Sequence, residues 1–255
     1  MTDDAERQYN LLSHANELWI APEIERRKAI GEPLLDPLHA FQVILNVDAP
    51  TEVRFNGEIQ GILEGRVTRA VTAGEQIMAG DLSEVTGFDL GDEDPNAGHL
   101  TALLLGEKWW LSFDFRYNAA RINDYFKIAR QFLDVAKFAI ESGRRNAGIS
   151  NLYEATELLA KCFLLVRPEK ELLKPRSHKL IATRLNREAK FGNVDSEHSK
   201  LLNELARLRP KARYELDHDT INRADAEGLL ARVEAFYLEV EERRPKRSAS
   251  DLAAV

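Results

Sequence analysis

Arg209, Arg213 and His218 crowd the run Leu205 to Tyr214 (LARLRPKARY) and the residues just after it. A guanidinium can grip a phosphate in bidentate fashion as charge builds on it. An imidazole titrates near neutral pH and can pass a proton to or from a hydroxyl. Two pairings are available at the same spacing: Arg213 with His218 by one count at five residues, and Arg209 with Tyr214 by the other. They lie one helical turn apart and so share roughly one helix face. Ordinary roles compete with chemistry at each position. Arg209 with Glu204, and Arg213 with Asp217 at i,i+4, read as surface ion pairs. His218, between Asp217 and Asp219, reads as a helix-end cap, and Tyr214 as a core-edge residue. Pro210 is expected to kink or restart the helix beside Arg209.

Other chemistries find little support. The chain has no G-x-x-x-x-G-K-[ST], no G-x-G-x-x-G after a strand, no H-E-x-x-H and no G-x-S-x-G. The acidic run Gly91 to Gly98 (GDEDPNAG), with Asp89 before it, lacks calcium-loop spacing and reads as a solvated loop. His14, His39, His99 and His198 have no partner at metal-ligand spacing, so no metal and no cofactor is expected. The one cysteine, Cys162, stands in an apolar stretch and reads as a small buried side chain. Trp109 and Trp110 are expected to straddle one strand, one inside and one out.

These residues must be positioned by two unlike halves. Residues 1–117 hold 9 Lys and Arg against 21 Asp and Glu, whereas residues 118–247 hold 26 against 20. The overall charge of −7 therefore hides a basic module joined to an acidic one, and that asymmetry points to polyanion contact or internal masking. No run of about 18 apolar residues occurs, so no transmembrane helix is expected. The acidic N-terminus does not look like a signal peptide, and the expected compartment is the cytoplasm.

In the acidic half, residues 6–31 read as one or two short helices, the second started by Pro22 and ended by Gly31 and Pro33. From 40 the period changes to two. Phe41, Val43, Leu45 and Val47 alternate with Gln42, Ile44 and Asn46. Val53, Phe55 and Ile59 suggest a second strand, with Asn56-Gly57 bulging or ending it. Residues 62–71 and 76–90 read as further strands. Leu100 to Leu105 and Lys108 to Tyr117 read as a hairpin about Gly106-Glu107, with Trp109, Leu111, Phe113 and Phe115 on one face.

After Asn118 the spacing is helical. Stripes led by Ile122 to Ile140, Ile149 to Phe163, Leu180 to Ala189, Leu201 to Ala212 and Leu229 to Val240 give five amphipathic helices. Ser177 reads as a cap for the third, Asp195 or Ser196 for the fourth, and the fifth begins near Asn222. Short connections between them imply an antiparallel bundle. The expected class is α+β: a helical segment over 1–39, a small antiparallel β domain over 40–117, a helical bundle over 118–243 and a disordered tail over 244–255.

Ala147 to Cys162 (AGISNLYEATELLAKC), Ser177-His178-Lys179 and Leu205 to Tyr214 follow in that order with bundle-like spacing. Together these resemble the HEPN superfamily, over about residues 120–243; no family is recognised in residues 1–117. Glu157 and Lys161, one turn apart, look like the pair on that family's Ala-rich second helix. The resemblance implies a four- or five-helix bundle that binds RNA or a nucleotide and pairs as a homodimer through this domain. Many members are metal-independent endoribonucleases whose signature is Arg, four to six residues, then His. On that basis Arg213 and His218, with Arg209 beside them, would be catalytic. Tyr214, Lys211, Lys161 and His178 would contact nucleic acid or nucleotide, although His178 read alone simply packs or hydrogen-bonds in the first turn of its helix. Tyr214 departs from the polar residue usual after the signature Arg. Aligning Arg209 with Tyr214 instead resembles a non-catalytic branch. A defence or toxin–antitoxin-like setting is implied by the family alone.

Overall fold

Alternating apolar residues from Ala40 build the strand on which the N-terminal half is organised. The computed structural model describes residues 3–32, 37–91, 94–106, 108–174, 178–214 and 222–245. Two compact units emerge, Met1–Phe115 and Arg116–Lys246. The whole is a mixed α+β chain, strands in the first unit and a helical bundle in the second. No described helix is long and apolar enough to cross a membrane.

In the first unit, α1 (Asp3–Ala15) runs through a π-helical turn (Asn16–Ile20) into α2 (Ala21–Ile30), which ends at Gly31 with φ +73°. That left-handed conformation is open to glycine at little steric cost. Four strands follow in one antiparallel sheet: β1 (Ala40–Leu45), β2 (Glu52–Phe55), β5 (Gly98–Leu105) and β6 (Lys108–Asp114), in the order β2-β1-β5-β6. The strands β3 (Ile62–Val67) and β4 (Leu82–Asp89) form a separate, bulged two-stranded sheet. The expected strand over 76–90 thus starts only at Leu82, because Arg69 draws Asp81 and Glu75 together and holds the preceding residues as a loop.

Central β1 is buried on both faces, although its alternation suggested one apolar and one polar side. Phe41 and Val43 join Ile20, Phe55, Leu100 and Ala102 in the core on which Trp19 and Ile24 pack. On the opposite face Ile44 packs with Leu90 and Ala97, and buried Gln42 donates to Gln60 O at 2.9 Å and Thr101 Oγ1 at 3.3 Å. β2 ends at Phe55, short of Ile59. Asn56 turns to φ +49°, and its side-chain oxygen accepts from the backbone N–H groups of His39 and Ala40. Along the edge strand β6, Leu111 reaches the core and Trp109 lies 5.9 Å from Phe41, whereas Phe113 and the following Phe115 stack on each other and remain exposed.

In the second unit the apolar stripes produce α3 (Ala119–Glu141), α4 (Arg145–Leu165), α5 (His178–Lys190), α6 (Ser196–Tyr214) and α7 (Arg223–Arg243). Helix α4 is the centre, with neighbours α3, α5, α6 and α7. Small residues let it be approached from several sides: Gly148, Ala155 and Ala160 are all buried. Asn222 caps α7 by accepting from the Asp225 N–H at 2.9 Å, and Asp195 takes the Glu197 N–H at 2.9 Å before α6. α6 continues as one helix through Pro210, so of the expected kink or restart the helix does not restart. The proline sits in the last turns, where one lost backbone bond affects little helix and the side chains around it are tied to α4. Ser177, Asp92, Glu93, Glu107, His218 and residues 246–255 lie outside the described residues, so the expected cap, acidic loop tip and most of the expected tail do too.

Candidate functional site

Helix α4 is apolar on most of its surface, so the partly exposed Glu154 and Glu157 mark where other helices leave it accessible. Arg209 and Arg213, four residues apart near the end of α6, project from one face of that helix toward α4. Arg209 Nη2 donates to Glu154 Oε1 at 2.6 Å, and Arg213 Nη2 donates to the same oxygen at 3.0 Å. The Arg209 guanidinium also lies 4.4 Å above the Tyr153 ring, a stacked cation–π geometry. Its Nε is buried without a hydrogen-bond partner. Glu204 pairs with Arg232 at 2.7 Å and not with Arg209 as local spacing suggested, and Asp217 lies outside the described residues.

The polar chain continues along α4. Burial, and then a hydrogen bond with Glu157, push the Tyr153 phenol well above its ordinary range, so it stays protonated. Glu157 in turn is paired with His178 Nδ1 at the start of α5. A carboxylate on one ring nitrogen orients the imidazole. Three helices therefore place Arg213, Arg209, Tyr153, Glu157 and His178 in one connected line.

Exposure divides the members by role. Arg209 and Glu154 are largely covered, while Arg213 is about half exposed with a side-chain value of 42%. Lys211 is exposed, and Tyr214 presents 84% of its surface, enough to offer a ring face to a base. Two guanidiniums share the Glu154 carboxylate at this end of the line, and the last turns of α6 add the charge of Lys211. Lys161 does not join it. That side chain is buried against α3, with Nζ 4.5 Å over the Tyr125 ring and 3.3 Å from its hydroxyl. His218 lies outside the described residues.

Glu154 and Tyr153 escaped the sequence reading because the arginines they meet stand 55 residues and more away. The available signal was the polar spacing on an otherwise apolar helix. Among the described residues no group of three or more His, Cys, Asp or Glu is placed to hold a metal ion. Cys162 is fully enclosed, and burial pushes its thiol well above the ordinary range, which leaves it a packing residue.

Residues 122–243 match the family model described as HEPN domain. No curated protein and no solved structure matches the chain.

Proposed function

We propose, for a chain whose residues 122–243 form a HEPN domain, that the end of α6 binds RNA or a nucleotide. The observation that carries this reading is the convergence of Arg209 and Arg213 on a single Glu154 oxygen, in the last turns of α6 where Lys211 and Tyr214 are exposed. Phosphate binding needs local positive potential, and a sequence-tolerant contact to a base needs an open aromatic face. Arg213 and Lys211 would meet phosphates, Tyr214 would stack, and Arg209 would hold the platform in place from beneath.

Metal-independent cleavage is the stronger form of the same proposal. Arg213 and His218 keep the spacing of the family's ribonuclease signature. In such a reaction an imidazole takes the proton of a ribose 2′-hydroxyl, the 2′-oxygen attacks the phosphorus to form a 2′,3′-cyclic phosphate, and the imidazolium returns a proton to the departing 5′-oxygen. Arg213 would steady the charge on the phosphate oxygens. Homodimerisation through the helical unit and a defence or toxin–antitoxin-like role complete the proposal. Arg209 favours the binding-only reading, because it is committed to Tyr153 and Glu154 and Tyr214 occupies the position five residues on. RNA cleavage in EDTA, compared among wild type, Arg213→Ala, His218→Ala and His178→Ala, separates the two. Activity lost in Arg213→Ala and His218→Ala supports cleavage; an inert wild type that still binds RNA selects binding alone.

A further inference from the structure

The far end of the bundle holds a second site of different character. Where α4, α5 and α7 finish, a pocket of about 190 Å³ opens within the helical unit. It lies roughly 15 Å along α4 from Glu154, counting ten residues at the helical rise. Its walls are apolar, formed by Cys162, Phe163, Val166 and Val240. Its charged rim is unevenly satisfied. Arg167 pairs with Glu188 at 2.6 Å, and Arg243 pairs with Glu239 at 3.0 Å.

Arg244, also on the rim, forms no ion pair among the described residues. Its Nη1 donates to the neutral Asn123 Oδ1, its Cζ lies 4.9 Å over the Phe126 ring, and its Nε is buried without a hydrogen-bond partner. Among the described residues this guanidinium has neutral neighbours and no carboxylate partner beside an apolar cavity, and buried donors of this kind are normally satisfied.

We propose that this pocket binds a small organic carboxylate with an apolar body. The walls take the hydrocarbon and Arg244 takes the carboxylate. The volume is below that of pockets for drug-sized molecules, which suits a single ring. The apolar lining disfavours a strongly hydrated phosphate. This site is separate from the surface around Arg213 and does not depend on RNA binding.

Calorimetric titration of the full chain with benzoate tests the idea, with benzamide as the neutral counterpart and inorganic phosphate as the anion lacking a ring. Benzoate is expected to bind about tenfold more tightly than either, the usual worth of a charge-assisted contact. Arg244→Met, which keeps the stem and removes the charge, should abolish that preference. Benzoate indistinguishable from benzamide, or phosphate binding as tightly as benzoate, would overturn the proposal.

Discussion

Arg209 and Arg213, one turn apart on α6, donate to the same oxygen of Glu154 at 2.6 and 3.0 Å. One negative charge thus serves two positive ones, and the two differ in circumstance. Arg209 is pinned between that carboxylate and the Tyr153 ring, whereas Arg213 keeps much of its surface in water. The arrangement separates a guanidinium that builds the surface from one that is free to meet a ligand as well.

In the proposed RNA site Glu154 would oppose phosphate binding at the same time as it positions the pair. Replacing it by Gln keeps a hydrogen-bond acceptor and removes the charge. Glu154→Gln is expected to tighten RNA binding roughly two- to fivefold at low salt, the size of one unit charge acting through solvent at several ångströms. Fluorescence anisotropy with a labelled single strand measures it. Weaker binding by this variant would mean that fixing the two guanidiniums matters more than their net charge.

The close approach of α3 and α4 depends on Gly148. A Cβ there would lie 2.5 Å from Ile140 Cγ1 and 3.4 Å from Ala136 O. Overpacking costs about 1–3 kcal/mol, against about 1 kcal/mol gained from replacing glycine inside a helix. Gly148→Ala is expected to lose about 1 kcal/mol in urea unfolding. Gly228, exposed on α7 with nothing within 4 Å of its would-be Cβ, is the control. Gly228→Ala is expected to gain up to about 1 kcal/mol. Equal effects at the two positions would remove the packing argument.

Acid should weaken the first unit through Glu23. Its hydrogen bond with Arg26, reinforced by Arg27 and opposed by burial, lowers its pKa from 4.5 to about 2. A carboxylate held below its unfolded value adds stability that is complete above pH 4.5 and is lost as pH falls through 2. In urea titrations Glu23→Gln should be less stable than wild type at pH 7. The gap should narrow from pH 4.5 downward and close below pH 2. A gap that persists in strong acid would show that packing, not charge, underlies it.

The helical unit was readable because each apolar stripe keeps a period of three to four residues and because polar residues mark the ends. Asn222 was expected near the start of the last helix and is its cap. Partnerships across the fold were not readable. Glu154 looks no different from any helical glutamate until α6 lays Arg209 and Arg213 against it. The two-faced burial of β1 was hidden for a related reason: Gln42 reads as a solvent-side residue, and only the strand order puts it in the middle of a sheet with Thr101 and Gln60 to bond. Lys161 shows the reverse. Its place one turn from Glu157 suggested a shared surface, yet its long stem follows α3 to the Tyr125 ring.

The most direct test of the α6 surface is the salt dependence of RNA affinity for wild type and the double variant Lys211→Gln, Arg213→Gln. Both side chains are exposed, so the fold should tolerate their loss. Each lost phosphate contact lowers the steepness of log K against log salt by about 0.7 for a single strand. The double variant is expected to bind more weakly, with a slope shallower by about 1.4. An unchanged slope and affinity would contradict the assignment of this surface to RNA.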